Sequence, residues 1–155
     1  AADPRTNQTA PRLISFTEFT LALGANPPQE LLRALDPNFF FGIHTVDENA
    51  PVLVIPVVSY ERAFAGMLQW EKTLNADLTP IFTAVSRQTA SEGGIVKERT
   101  FEDAVMRNYD VRQLKDDTGT VQLYYSFPSR NILIIAESPY SFTEVLSRLR
   151  ADRRL

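Results

Sequence analysis

The chain predicts an α+β fold: a largely antiparallel sheet with packed helices, formed by two hairpin-helix modules in one domain. Three observations predict it. Apolar, strand-like runs are broken by turn chemistry at Asp47-Glu48-Asn49, Asp116-Asp117-Thr118-Gly119 and Pro128-Ser129-Arg130-Asn131. In both halves the strands run into a Ser and then a helix with a Phe-x-x-x-Leu pair, Phe64/Leu68 within residues 39–74 and Phe142/Leu146 within 111–152. The length of 155 residues, with 44% apolar and 23% charged residues, fits one domain able to bury its own core.

Residues 1–11 are polar and read as a linker leading into a single domain over 12–155. The chain opens without Met, and we expect a fragment or processed form from which an N-terminal anchor has been removed. Residues 12–19 alternate loosely and predict an opening strand. Asn26-Pro27-Pro28-Gln29-Glu30 predicts a helix start, with Asn26 as cap and Pro tolerated in the first turn, where a missing N–H leaves nothing unpaired. Leu31, Leu32 and Leu35 give that helix its apolar face, and Asp36-Pro37 stops it.

The first hairpin is predicted over 39–46 and 52–58. Val52-Leu53-Val54-Ile55 is continuously apolar, as in a strand covered on both faces. Pro56 has no N–H for a ladder and predicts an edge or a bulge. Ser59 then caps a helix over 60–74, in which Ala63, Met67, Trp70 and Leu74, widened by Phe64 and Leu68, form the buried stripe. Gly66 inside it costs about 1 kcal/mol against Ala, which predicts close approach of a neighbouring backbone.

Residues 84–98 lack a period, contain Gly93-Gly94 and read as a long mobile loop. Thr100 and Asp103 predict a short capped helix over 101–107, with Phe101, Ala104 and Val105 inward. The second module follows, with strands near 111–115, 120–127 and 132–136 and a helix from Pro139. That helix buries Phe142, Val145, Leu146 and Leu149, and the arginines 148, 150, 153 and 154 suit the negative end of its dipole. Val54, Phe64, Met67, Leu68, Leu123, Ile134, Phe142 and Leu146 are the predicted core.

A net charge of −3 removes the basic footprint that nucleic-acid binding needs. The absence of cysteine excludes a disulfide framework, a cysteine zinc site and a thiol nucleophile. No run of 18 apolar residues is present to cross a bilayer. His44 is the only histidine, placed mid-strand in Phe41-Gly42-Ile43-His44, and no Gly-x-Ser-x-Gly elbow accompanies it. Asp47/Glu48 and Asp116/Asp117 are adjacent carboxylates, but the calcium-loop pattern is missing and turns favour Asp for local hydrogen bonds alone. These residues assign no catalytic group, no cofactor and no metal ligand.

The densest polar cluster is Arg107-Asn108-Tyr109-Asp110-Val111-Arg112. Asn108, Tyr109, Asp110 and Arg112 are the candidate interaction residues, because polar groups on a rigid junction are well placed for recognition. A junction held by local hydrogen bonds and an ion pair between Asp110 and Arg112 is the structural alternative.

Two stretches carry a resemblance. Ser59-Tyr60-Glu61-Arg62-Ala63-Phe64-Ala65-Gly66-Met67-Leu68-Gln69-Trp70-Glu71 is one. The other runs from Asn108-Tyr109-Asp110-Val111-Arg112 through Asp116-Asp117-Thr118-Gly119 to Leu123-Tyr124-Tyr125-Ser126, and closes with 132–135 and 142–149. Over residues 12–150 the chain resembles the C-terminal domain of uncharacterised single-pass membrane-anchored proteins of bacterial candidate phyla. The resemblance implies an extracytoplasmic domain behind an anchor outside this chain, and it transfers no catalytic residue.

Together these readings predict a non-enzymatic extracytoplasmic interaction or assembly domain of a membrane-anchored bacterial envelope protein. Its partner would be a protein of the cell envelope, with no nucleic acid and with membrane contact only through the anchor. A small-ligand sensor, or a hydrolase built on carboxylates or His44, are the alternatives.

Overall fold

The computed structural model describes residues 2–3, 8–9, 14–44, 50–82, 88–89, 97–153 and 155. A six-stranded antiparallel sheet carries the fold. In chain order its strands are β1 (Phe40–His44), β2 (Ala50–Pro56), β3 (Glu102–Met106), β4 (Tyr109–Lys115), β5 (Val121–Ser129) and β6 (Ile132–Ala136). Across the sheet they run β1-β2-β6-β5-β4-β3. A hairpin from the first module and a four-stranded meander from the second therefore meet along β2 and β6, where Ile134 stands opposite Val54. Two short ladders, Ala2–Asp3 with Gln8–Thr9 and Gln88–Thr89 with Lys97–Glu98, lie outside this sheet. The predicted α+β class holds.

Strands β2 and β6 are apolar throughout because helices cover both faces of the sheet. On one face, α5 (Pro139–Ala151) lays Phe142, Val145 and Leu146 against Val52, Val54, Tyr124 and Ile134. On the other lie α1 (Phe16–Ala22), α2 (Gln29–Ala34), α3 (Tyr60–Trp70) and α4 (Leu74–Asp77). They bring Phe16, Leu31, Met67 and Trp70 onto Leu53, Ile55, Leu123 and Leu133. The two apolar clusters thus divide by sheet face, and each draws on both modules. Burial of one such large side chain contributes about 1.5–3 kcal/mol. Ser138 caps α5 by accepting the Tyr140 N–H, with Pro139 in the first turn.

Gly66 is explained by α2. A Cβ at this position would stand 2.7 Å from the Leu31 Cβ and 3.0 Å from its Cα. The glycine lets α2 and α3 touch, as its place in the helix predicted.

Several expectations are corrected. The opening strand predicted over 12–19 is, from residue 16, helix α1, whose Ser15 hydroxyl accepts the Glu18 N–H at 3.1 Å. Phe16 and Thr20, one helical turn apart, are buried. The predicted helix over 101–107 is strand β3. It turns into β4 through Arg107 and Asn108, whose φ angles of 52° and 69° are both left-handed. This is a two-residue hairpin turn of the kind that matches strand twist.

Phe64 and Leu68 are not core residues: they remain 37% and 39% exposed. Helix α3 instead presents the narrower stripe Ala63, Gly66, Met67 and Trp70 to α2 and the sheet, leaving Phe64 and Leu68 on its flank. The other six predicted core residues are buried. Pro56 is neither at an edge nor at a bulge. It ends an internal strand opposite Ile132, past the last pairing with β1, and its carbonyl accepts the Asp36 N–H at 2.8 Å. Pro28, not Asn26, holds the N-cap position of α2, and the Asn26 N–H donates to the Asp77 carboxylate at 3.2 Å. The loop expected over 84–98 lies outside the described residues, apart from its short ladder.

Candidate functional site

A groove of about 590 Å³ opens between α3 and the β3–β4 hairpin. It exists because the helices on this face stop short of the sheet's edge. Arg112 pairs across β4 and β5 with Tyr125, and across β3 and β4 with Asp103. Towards the hairpin turn the strands are open to solvent: Asp103, Val105 and Asp110 are exposed.

One wall is aromatic. The rings of Tyr60 and Phe127 meet edge-to-face at 5.4 Å, and Phe64 lies 5.9 Å from Phe127. Tyr60 and Phe64 come from the first turns of α3, one turn apart, and Phe127 from the α3-facing side of β5. At the rim the Arg130 guanidinium sits 4.8 Å above the Tyr60 ring and pairs with Glu61.

The floor is polar. Arg112 donates to both carboxylate oxygens of Glu71, from Nε at 2.8 Å and from Nη2 at 2.7 Å. It also reaches Asp103 at 3.1 Å and the Phe101 carbonyl at 3.3 Å. The Glu71 contacts hold the guanidinium still more firmly protonated than usual. The Tyr125 hydroxyl donates to the same carboxylate. Burial first, and then the hydrogen bond to Glu71 and its charge, push that hydroxyl's pKa well above its ordinary value. Glu71, Arg112 and Tyr125 therefore form a partly buried brace between α3 and the sheet.

All four sequence candidates line this groove, but they do different things. Arg112 is the brace. Asn108 supplies a left-handed turn position. The Tyr109 ring turns to the opposite face, 6.0 Å from Phe142, and its hydroxyl accepts from Arg150 at 3.3 Å. Asp110 does not pair with Arg112. Among the described residues its carboxylate makes no hydrogen bond or ion pair, while its carbonyl accepts the Ser126 hydroxyl at 2.8 Å. The expected Asp110–Arg112 pair is replaced because Glu71 offers Arg112 two oxygens in a less solvated place.

Sequence reasoning missed the aromatic wall and Glu71. Phe64 was assigned to the core stripe, although it stands one residue off Ala63, Met67 and Trp70. Phe127 and Tyr125 share a strand face that Tyr124 does not, which the two-residue period could have separated.

A second exposed surface lies at the far edge of the sheet. Strand β1 carries no acidic or basic side chain except His44, and Phe40 and Ile43 are 56% and 57% exposed. The opposite edge, β3, carries Glu102 and Asp103, the charge that usually discourages further strand pairing.

The remaining candidates can be placed. His44 ends β1, and its side chain lies outside the described residues, as do Asp47 and Glu48. Asp116 is a turn anchor: its carboxylate accepts the Thr118 and Thr120 N–H groups and the Thr118 hydroxyl. Among the described residues no group of three or more His, Asp or Glu could hold a metal ion, and no helix is long and apolar enough to cross a membrane. No family model matches the chain, and neither does a curated protein or a solved structure.

Proposed function

We propose that this chain is a non-enzymatic interaction domain, extracytoplasmic and tethered to a bacterial membrane by an anchor outside the chain, and that it docks a protein partner in the groove between α3 and the β3–β4 hairpin. The observation that carries the reading is the exposed aromatic wall of Tyr60, Phe64 and Phe127 facing an uncommitted carboxylate, Asp110. Aromatic rings beside a polar floor, on rigid elements, are typical of contact surfaces. Arg112 and Glu71 at the floor are engaged with each other in a brace, which favours a fixed surface over a reactive one. The extracytoplasmic placement and the anchor rest on the sequence resemblance alone.

A small-ligand sensor is the second reading, since the groove's volume falls in the range of ligand sites. Against it, Phe64, Asp103 and Asp110 stay exposed, whereas ligand sites enclose most of their occupant.

Site-specific photo-crosslinking tests the docking reading. A photoreactive residue replaces Val105 beside the groove, or Thr143 on the solvent side of α5, in the full-length protein in its native cells. Crosslinking to a discrete polypeptide from position 105 and not from 143 is expected. Equal yields from both positions, or none from 105, overturn the reading.

A further inference from the structure

Resting on that reading of the groove, we infer that its occupant is a segment of a protein partner that presents an arginine side chain, with the guanidinium stacked on the Phe64–Phe127 wall and paired with Asp110. The charges left unpaired in the groove are acidic, since the rim cation Arg130 is paired with Glu61. Among the described residues Arg112 is the only cation lining it, and Glu71 already satisfies it through two hydrogen bonds. Asp103 gives one oxygen to Arg112 and is otherwise open to solvent, with 91% of its side chain exposed. The Asp110 carboxylate has no partner among the described residues. The surface offered to an incoming segment is therefore acidic beside aromatic rings.

Asp110 and the wall are neighbours by register. Val111 stands opposite Ser126, so Asp110 and Phe127 are the next positions outward on the same side of the sheet. Val105, exposed and directly across from Asp110 on β3, lies beside the groove and offers an apolar surface to an aliphatic stem. A planar cation between a ring face and a carboxylate uses both: the ring quadrupole attracts the charge, and the fork of N–H groups matches the two oxygens. The molecule already contains this arrangement at the groove's rim, where Arg130 lies over Tyr60 and pairs with Glu61. An apolar or acidic occupant fits worse. The first would bury Asp110 without a partner, and the second would meet two carboxylates of its own sign.

The test is an NMR titration of the whole chain with N-acetyl-arginine amide and with N-acetyl-citrulline amide, which has nearly the same shape and no charge. Arginine amide should shift the Phe64 and Phe127 ring signals saturably, and citrulline amide should bind about tenfold more weakly. Asp110→Asn should weaken arginine amide about fivefold or more and leave citrulline amide unchanged. Because Asp110 is exposed and unpaired, that variant should keep its remaining spectrum. Ionic strength of about 0.5 M should weaken the arginine response in the parent chain.

Equal affinity for the two probes overturns the inference and leaves the groove as a contact surface. Saturable shifts that fall outside the groove overturn it, as does an unchanged response in Asp110→Asn. No saturable response at about 50 mM arginine amide also overturns it. The crosslink from position 105 is scored separately, so an arginine requirement can fail while the docking reading stands.

Discussion

Glu71 and Arg112 lie 41 positions apart in the chain and meet through two hydrogen bonds, with Tyr125 donating to the same carboxylate. Helix α3 is thereby fastened to β4 at a point where apolar packing thins out. Their side chains are only 13% and 21% exposed, so removing one partner strands the other in a poorly solvated place. Glu71→Gln should cost about 1–3 kcal/mol in urea denaturation. Replacing both residues by Leu should cost less than the sum of the two single changes. A Glu71→Gln loss below about 0.5 kcal/mol would mean that the brace contributes little.

The flank and the inner face of α3 should respond differently to truncation. Met67 is fully buried, and Met67→Ala should cost about 2–5 kcal/mol. Phe64 is 37% exposed, and Phe64→Ala should cost about 1 kcal/mol while removing part of the groove wall. Chemical denaturation of the two variants is the measurement. Equal losses would place Phe64 in the core after all.

Gly66→Ala sets a helix gain against a clash. Ala is better than Gly in a helix by about 1 kcal/mol. The added methyl would stand 2.7 Å from the Leu31 Cβ and 3.0 Å from its Cα, atoms that move only if α2 moves. The clash should win, with a net loss of about 1–2 kcal/mol. A thermal midpoint equal to or above that of the parent chain would show that α2 shifts freely.

Asp116 gives a pH signature. Hydrogen bonds from Thr118, Thr120 and Gln122 lower its pKa from 3.8 to about 2, led by the Thr118 hydroxyl. A folded-state pKa below the unfolded value adds stability that is complete above the unfolded value and is lost as pH falls through the folded one. The parent chain should therefore lose stability relative to Asp116→Asn as pH drops from about 4 to about 2. Urea midpoints compared across that window check the sign. A gap that widens towards acid pH would contradict it.

What the sequence made legible was whatever had a strong local signal. Asp116 to Gly119 announced its turn through turn-forming residues, and β2 announced two-sided burial through the unbroken apolar run over residues 52–55. The errors arose where local preference and tertiary context disagree. Glu102, Ala104 and Met106 favour helix, yet the segment is an edge strand because β4 offers a ladder and Arg107-Asn108 accept left-handed angles without a glycine to mark the turn. Residues 12–19 alternate loosely like a strand, but Ser15 followed three residues later by Glu18 is a readable capping signal for α1. The groove was half legible. Its polar residues are contiguous in sequence, whereas Glu71 and the aromatic wall reach it only through packing of α3 on the sheet, which no local pattern encodes.

Strand β6 sits between β2 and β5, although it is the last strand of this sheet in chain order. While the chain emerges from a ribosome, β2 must wait with one whole edge unpaired until residues 132–136 arrive. Its partner then comes from some eighty positions later in the chain, a closure whose entropy must be met before any of the pairing is gained. Helix α5 follows at once and seals the other face. Vectorial folding from the N-terminus can thus prepare helices and hairpins but cannot finish the sheet. Strand β6 and helix α5 together work as a keystone, and during translation the unpaired inner edge of β2 is the surface a chaperone would have to shield.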